Sequence, residues 1–158
     1  MTWDARPAEP PSRHALRAAA WLAVLAVAAR MLMAWTYAPV AYGDTPSYMR
    51  MAGIVADGIW AKLDGTRTPG YPVFLALAGP QPERVMLAQM ALGVGISLLL
   101  FWMVWQTTHS VRLALLAGAC YTAVPAQILF EANLLTETLT TFWIVLSFAL
   151  FTALTRSG

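Results

Sequence analysis

Four long apolar runs, separated by short polar links and one long mixed segment, organise this chain. They cover about Ala18 to Ala38, Val85 to Trp105, Leu113 to about Phe130, and Leu134 to Leu154. Each approaches the roughly 20 residues that a helix needs to cross a hydrocarbon layer about 30 Å thick. Pro125, near the far end of the third run, predicts a kink or an early stop there. A fifth apolar stretch, Tyr71 to Gly79, is too short to cross and is expected to be interfacial or re-entrant. The pattern therefore predicts an all-α fold: a polytopic membrane helix bundle of about four transmembrane helices.

Residues 39–84 form the one long extramembrane segment, and a loop of that length in a compact protein is commonly functional or separately structured. Tyr42-Gly43-Asp44-Thr45-Pro46 reads as a helix start, with Asp44 or Thr45 as N-cap and Pro46 in the first turn. Tyr48, Met51, Ala52, Val55 and Ile59 follow at helical spacing, while Arg50 and Asp57 lie off that stripe. The expectation is an amphipathic surface helix ending near Gly58 or Trp60. The polar turn Lys62-Leu63-Asp64-Gly65-Thr66 then leads into Arg67-Thr68-Pro69-Gly70-Tyr71-Pro72. Two prolines around a glycine stiffen that backbone and hold Arg67 and Tyr71 in a defined place.

Composition strengthens the membrane reading, since 59% of the 158 residues are apolar and only 11% are charged. Soluble domains carry nearer a quarter charged residues. The net charge of +2 comes from few charges, and no Lys/Arg cluster is interleaved with aromatics, so a nucleic-acid partner is set aside. Cys120, the only cysteine, excludes an internal disulfide and reads as packing. Arg6, Arg13 and Arg17 precede the first span, Arg112 lies in the second link, and Arg156 closes the fourth span. The turn at 131–137 carries only Glu131 and Glu137. This bias places both termini in the cytoplasm, with residues 1–17 as a disordered tail containing Pro7, Pro10 and Pro11. Ala26-Val27-Ala28 resembles a signal-peptide cleavage site, but the apolar run continues through Met31 to Tyr37, longer than such signals require.

The candidate chemistry lies on the loop side. A carboxylate at the water–lipid boundary, Asp44, with a positioned Arg67 nearby, suits a site handling a lipid-linked phosphate. Arginine grips phosphate through a bidentate fork, and the carboxylate can take a proton from an acceptor hydroxyl. Simpler readings stand beside these: Asp44 as a plain N-cap, Arg67 snorkelling to headgroups, and Asp57 and Asp64 as solvated charges. Arg30 lies near the middle of the first span, where a lipid-facing charge costs about 2.5–3.5 kcal/mol on insertion scales. It must pair with Glu131, Glu137 or another helix, or make a functional contact. Glu137 sits near the depth of Asp44, so the two acids could face one cavity; a helix-start acid is the simpler reading. His14 and His109 read as solvated.

The stretches Gly43-Asp44-Thr45-Pro46-Ser47-Tyr48, Ala52 to Gly58, Arg67 through Ala76, and Leu135-Thr136-Glu137 together resemble the N-terminal part of the GT-C membrane glycosyltransferases. The branch most similar is that of the bacterial relatives of protein O-mannosyltransferases and the lipid A aminoarabinose transferase. The resemblance covers about residues 15–155. It implies transfer of a sugar from a polyprenyl-phosphate donor to an acceptor hydroxyl on the periplasmic face of a bacterial inner membrane. Asp44 would then be the catalytic base. Arg67 and Tyr71, with Tyr48 and Arg30, would bind donor phosphate or substrate, and Glu137 would line the cavity. No cofactor is firmly implied, although a divalent metal near these acids is open. Family members usually have eleven or more spans, and many carry a second acid beside the loop aspartate, where this chain has Thr45 and Pro46. The expectation is that a second membrane subunit supplies the missing spans, or that the chain is a fragment. The alternative is a non-catalytic membrane module that binds lipid carrier or a partner subunit.

Overall fold

The structure, a computed structural model, describes residues 12–62, 65 and 67–157. Most of the expected N-terminal tail, with Arg6 and its three prolines, and the expected surface charge Asp64 lie outside the described residues. Every regular element among the described residues is helical: α1 (Arg13–Thr36), α2 (Thr45–Ala56), α3 (Gly70–Ala78), α4 (Pro82–Thr108), α5 (Val111–Ala123), α6 (Pro125–Ala132) and α7 (Glu137–Ser157), with one 3₁₀ turn at Trp60–Lys62. α1, α4 and α7 are each long and apolar enough to cross a membrane, and α5 with α6 makes a fourth, bent pair. The chain is a helical membrane protein.

α4 is the central helix and packs against α1, α5, α6 and α7. Large apolar side chains on the outer faces of α1 and α7 stay exposed, among them Trp21, Leu32, Trp35, Trp143, Phe148 and Phe151. In a bilayer such faces meet lipid rather than water, so their exposure is the expected state. Close approach inside the bundle is made possible by small residues. A Cβ on Gly118 would stand 2.7 Å from the Ser97 carbonyl oxygen and collide with Leu22, which sets the spacing of α5 against α4 and α1. Ser97 and Thr122 add a hydroxyl–hydroxyl hydrogen bond of 2.8 Å across the same contact.

The third apolar run breaks at Val124–Pro125 by 56°. Proline lacks the amide proton that would continue α5, and its ring excludes the preceding turn's helical geometry. The same residue opens α6, where a missing N–H costs nothing. The bend turns the short α6 inward, so that Glu131, Ala132, Asn133 and Leu134 are all buried.

Arg30 and Glu131 explain how a charge survives at that depth. The guanidinium donates from Nε to Glu131 Oε2 at 2.6 Å and from Nη2 to Oε1 at 2.7 Å, with Nη1 on the Ala26 carbonyl at 3.1 Å. Both side chains are essentially inaccessible, at 1% and 0%. The fork matches carboxylate geometry and leaves neither charge facing hydrocarbon. α4 makes room with Gly93, where any Cβ would overlap the Glu131 carboxylate.

Removing one partner leaves the other charge buried alone, a loss of about 3–5 kcal/mol. Glu131→Ala is therefore expected to unfold at clearly lower temperature in detergent than the parent. Arg30→Met with Glu131→Met should recover most of that loss. A Glu131→Ala variant as stable as the parent would show that the pair does not hold α6.

Candidate functional site

α2 and α3 form a hairpin lobe on the loop side, packed mainly on each other. α2 starts where the Asp-Thr-Pro signal predicts and ends at Ala56, two to four residues short of the expected stop; Gly58 takes φ +71 just beyond. Ile59 is therefore not part of the buried stripe, whereas Met51 and Ala52 are. The apolar stretch expected to be interfacial or re-entrant is the nine-residue helix α3, closed by Gly79 at φ +95. Ala52, Tyr71 and Leu75 of this lobe share one core with Val85 of α4 and with Leu134 in the turn before α7.

Asp44 occupies the N-cap position of α2 by backbone, yet its side chain makes no capping hydrogen bond. It pairs instead with Arg67, 23 residues further along the chain. Thr45 ties the start of α2 to its surroundings: its hydroxyl accepts from the Tyr42 amide at 2.9 Å and donates to the Leu134 carbonyl at 3.4 Å. The Arg67 guanidinium carbon lies 5.2 Å from the centre of the Tyr48 ring, in reach of a cation–π contact. Tyr48 in turn meets Tyr71 edge to face at 5.2 Å, and Tyr71 stacks on Phe74 at 5.9 Å. Four predicted residues, Asp44, Tyr48, Arg67 and Tyr71, are thus brought together.

Tyr71 takes a part different from direct contact with a ligand. It is buried, and its hydroxyl points inward, donating to Gln89 Oε1 at 2.8 Å. Burial, followed by the nearby charges of Glu137 and Tyr48, raises the phenol well above its ordinary pKa, so it stays a donor. Glu137, the first residue of α7, is itself exposed. Arg30 is not brought to this cluster: its guanidinium is spent on Glu131 inside the bundle.

Gln89 and Asn133 are functional supports that the sequence reading does not single out. The last carbonyls of a helix have no partner within it and need one elsewhere. Gln89 Nε2 faces the carbonyls of Phe130, Glu131 and Asn133 at 3.3, 3.0 and 2.6 Å. Asn133 Nδ2 donates to the Leu129 carbonyl at 2.8 Å, while its Oδ1 accepts from the Tyr37 hydroxyl at 3.0 Å and the Val40 amide at 2.9 Å. The signal was available: an amide in the otherwise apolar Val85–Trp105 run is costly unless it bonds.

Among the described residues no three His, Cys, Asp or Glu side chains converge, and the partner of Asp44 is a cation rather than another acid. Beside the cluster, a groove of about 260 Å³ is lined by Tyr42, Ala126, Leu129, Phe130, Asn133 and Leu135, mostly apolar. No family model, no curated protein and no solved structure matches the chain.

Cutting the Tyr71–Gln89 bond should loosen the lobe from the bundle. A buried acceptor left unpaired costs about 1–3 kcal/mol, or roughly five- to 150-fold in local opening. In Tyr71→Phe, amide hydrogen exchange across residues 45–56 is expected to rise by about that factor, with exchange in the middle of α4 unchanged. Exchange unaltered in α2 would mean that the lobe is held by its apolar core alone.

Proposed function

We propose that the chain is a membrane glycosyltransferase of GT-C type, or the N-terminal portion of one. It would transfer a hexosyl or pentosyl group from a polyprenyl-phosphate donor to an acceptor hydroxyl. The observation that carries this reading is the pairing of Asp44 with Arg67, whose guanidinium lies over the Tyr48 ring, on the loop side of a membrane bundle. Both side chains remain open to solvent, so a headgroup can reach them.

In the reaction, Arg67 binds the phosphate of the donor through its guanidinium fork. Asp44 accepts the proton of the acceptor hydroxyl as that oxygen bonds to the anomeric carbon. The bond from that carbon to the phosphate oxygen breaks, and polyprenyl phosphate leaves with the electron pair. Tyr48 and Tyr71 hold Arg67 in place, and Glu137 adds negative charge at the rim. The apolar groove next to Tyr42 suits the first units of a prenyl chain. The basic residues Arg13, Arg17, Arg112 and Arg156 favour the opposite side as cytoplasmic, which supports an extracytoplasmic site; the GT-C resemblance would make that the periplasmic face of a bacterial inner membrane.

The test reconstitutes the chain in vesicles with labelled polyprenyl-phosphate sugars and a bacterial membrane fraction as the acceptor source. Asp44→Asn should lower transfer by about 10²–10⁴-fold, the range that a general base supplies. Arg67→Lys should raise the donor KM more than it lowers kcat. Equal transfer by Asp44→Asn and the parent would remove Asp44 from the mechanism. Carrier binding without any transfer would favour the non-catalytic carrier-binding module.

A further inference from the structure

The Asp44–Arg67 pair has two unequal sides. Arg67 is about one-third exposed and rests on the Tyr48 ring, which Tyr71 and Gln89 tie to the membrane bundle. Asp44 is 63% exposed, and its side chain makes no hydrogen bond to the helix it precedes. The cation is therefore built into the lobe, whereas the carboxylate is an exchangeable counterion. Ion pairs this exposed to water are weak, so another anion can displace the carboxylate at little cost. The phosphodiester of a polyprenyl-phosphate sugar carries the same single charge as the carboxylate and presents two non-bridging oxygens to the same fork.

We propose that Asp44 is an internal stand-in for a phosphate on Arg67, and that the arrival of the donor's phosphodiester at Arg67 is what frees the Asp44 carboxylate. The site is thereby self-ordered. With Arg67 unoccupied by ligand, the Asp44 carboxylate is turned onto the guanidinium rather than toward an acceptor. With phosphate bound, Asp44 swings free toward solvent and an acceptor hydroxyl. Phosphate binds first, and the base becomes available second. Such ordering suppresses the side reaction in which the base acts before the donor is seated. The inference rests on the proposed donor site and adds the order of events at it.

Competition has a definite sign. If Asp44 occupies the place of the ligand, removing its charge must tighten phosphate binding; if it holds Arg67 ready for the ligand, removal must weaken it. The probe is dodecyl phosphate, titrated by calorimetry against the full chain in phosphatidylcholine nanodiscs, with inorganic phosphate as a second arm. Asp44→Asn is expected to bind dodecyl phosphate about two- to fivefold tighter, the factor set by losing one exposed ion-pair competitor. In an Arg67→Gln background the same Asp44→Asn change should have no effect, and Asp57→Asn in the parent should have almost none. These two controls separate direct competition from general repulsion of an anion. Inorganic phosphate showing the same pattern would identify the phosphate group itself as the ligand; a pattern seen only with dodecyl phosphate would add the alkyl chain as part of it. Binding that requires Arg67 but weakens in Asp44→Asn would overturn the stand-in while leaving the phosphate site intact. Binding indifferent to Arg67 would overturn both this inference and the proposed donor site.

Discussion

The bundle depends on one buried charge pair. Arg30 sits at a depth where an unpaired guanidinium would face hydrocarbon, and the Glu131 carboxylate takes it in a two-bonded fork. The fork can form only because α6 turns inward after Pro125 and because Gly93 leaves α4 with no side chain in its way. One ionic constraint therefore fixes the mutual placement of α1, α4 and α6. The cost of burying two charges is offset by their contact and by the Ala26 carbonyl, which takes a third donor of the guanidinium.

From α6 the constraint passes outward. Its last carbonyls, exposed by the inward turn, are met by Gln89 from α4, and the other end of that amide receives the Tyr71 hydroxyl. Tyr71 sets Tyr48, and Tyr48 carries Arg67. A line of direct contacts thus runs from the middle of the bundle to the solvent-facing guanidinium. It ends at Arg67, which pairs with the more exposed Asp44 on the loop side of the bundle. For the proposed reaction, support beneath Arg67 is what positioning a donor phosphate would require.

Much of this was legible in the residues, for identifiable reasons. Uninterrupted apolar length marks α1, α4 and α7, and Pro125 marks the bend, because both follow from local covalent and solvation rules. The Thr45-Pro46 start of α2 and the stiff approach to Arg67 are local signals of the same kind. What was not legible is pairing across the bundle. Spacing gives the depth of Arg30 but not which helix faces it, so Glu131 and Glu137 were equal candidates until the bend of α6 decided between them. Asp44 illustrates the same limit: the N-cap position is correct, yet the side chain takes Arg67, a partner brought in by tertiary folding. Gln89 passed unremarked because a single amide hardly changes the hydropathy of its span, although its burial demands partners.

The neutralisation of Arg30 by Glu131 inside the bundle is the contact on which the arrangement of α1, α4 and α6 depends. Solid-state NMR on the chain in lipid bilayers, with ¹⁵N-arginine and ¹³C-glutamate, measures this directly by dipolar recoupling between guanidinium nitrogens and side-chain carboxyl carbons. The prediction is one strong nitrogen–carboxyl correlation at direct hydrogen-bond range, unaffected by lipid headgroup charge and lost in Arg30→Gln. An Arg30 signal that couples to lipid phosphate ³¹P, or that shows no carboxyl partner, would contradict the structure at its root.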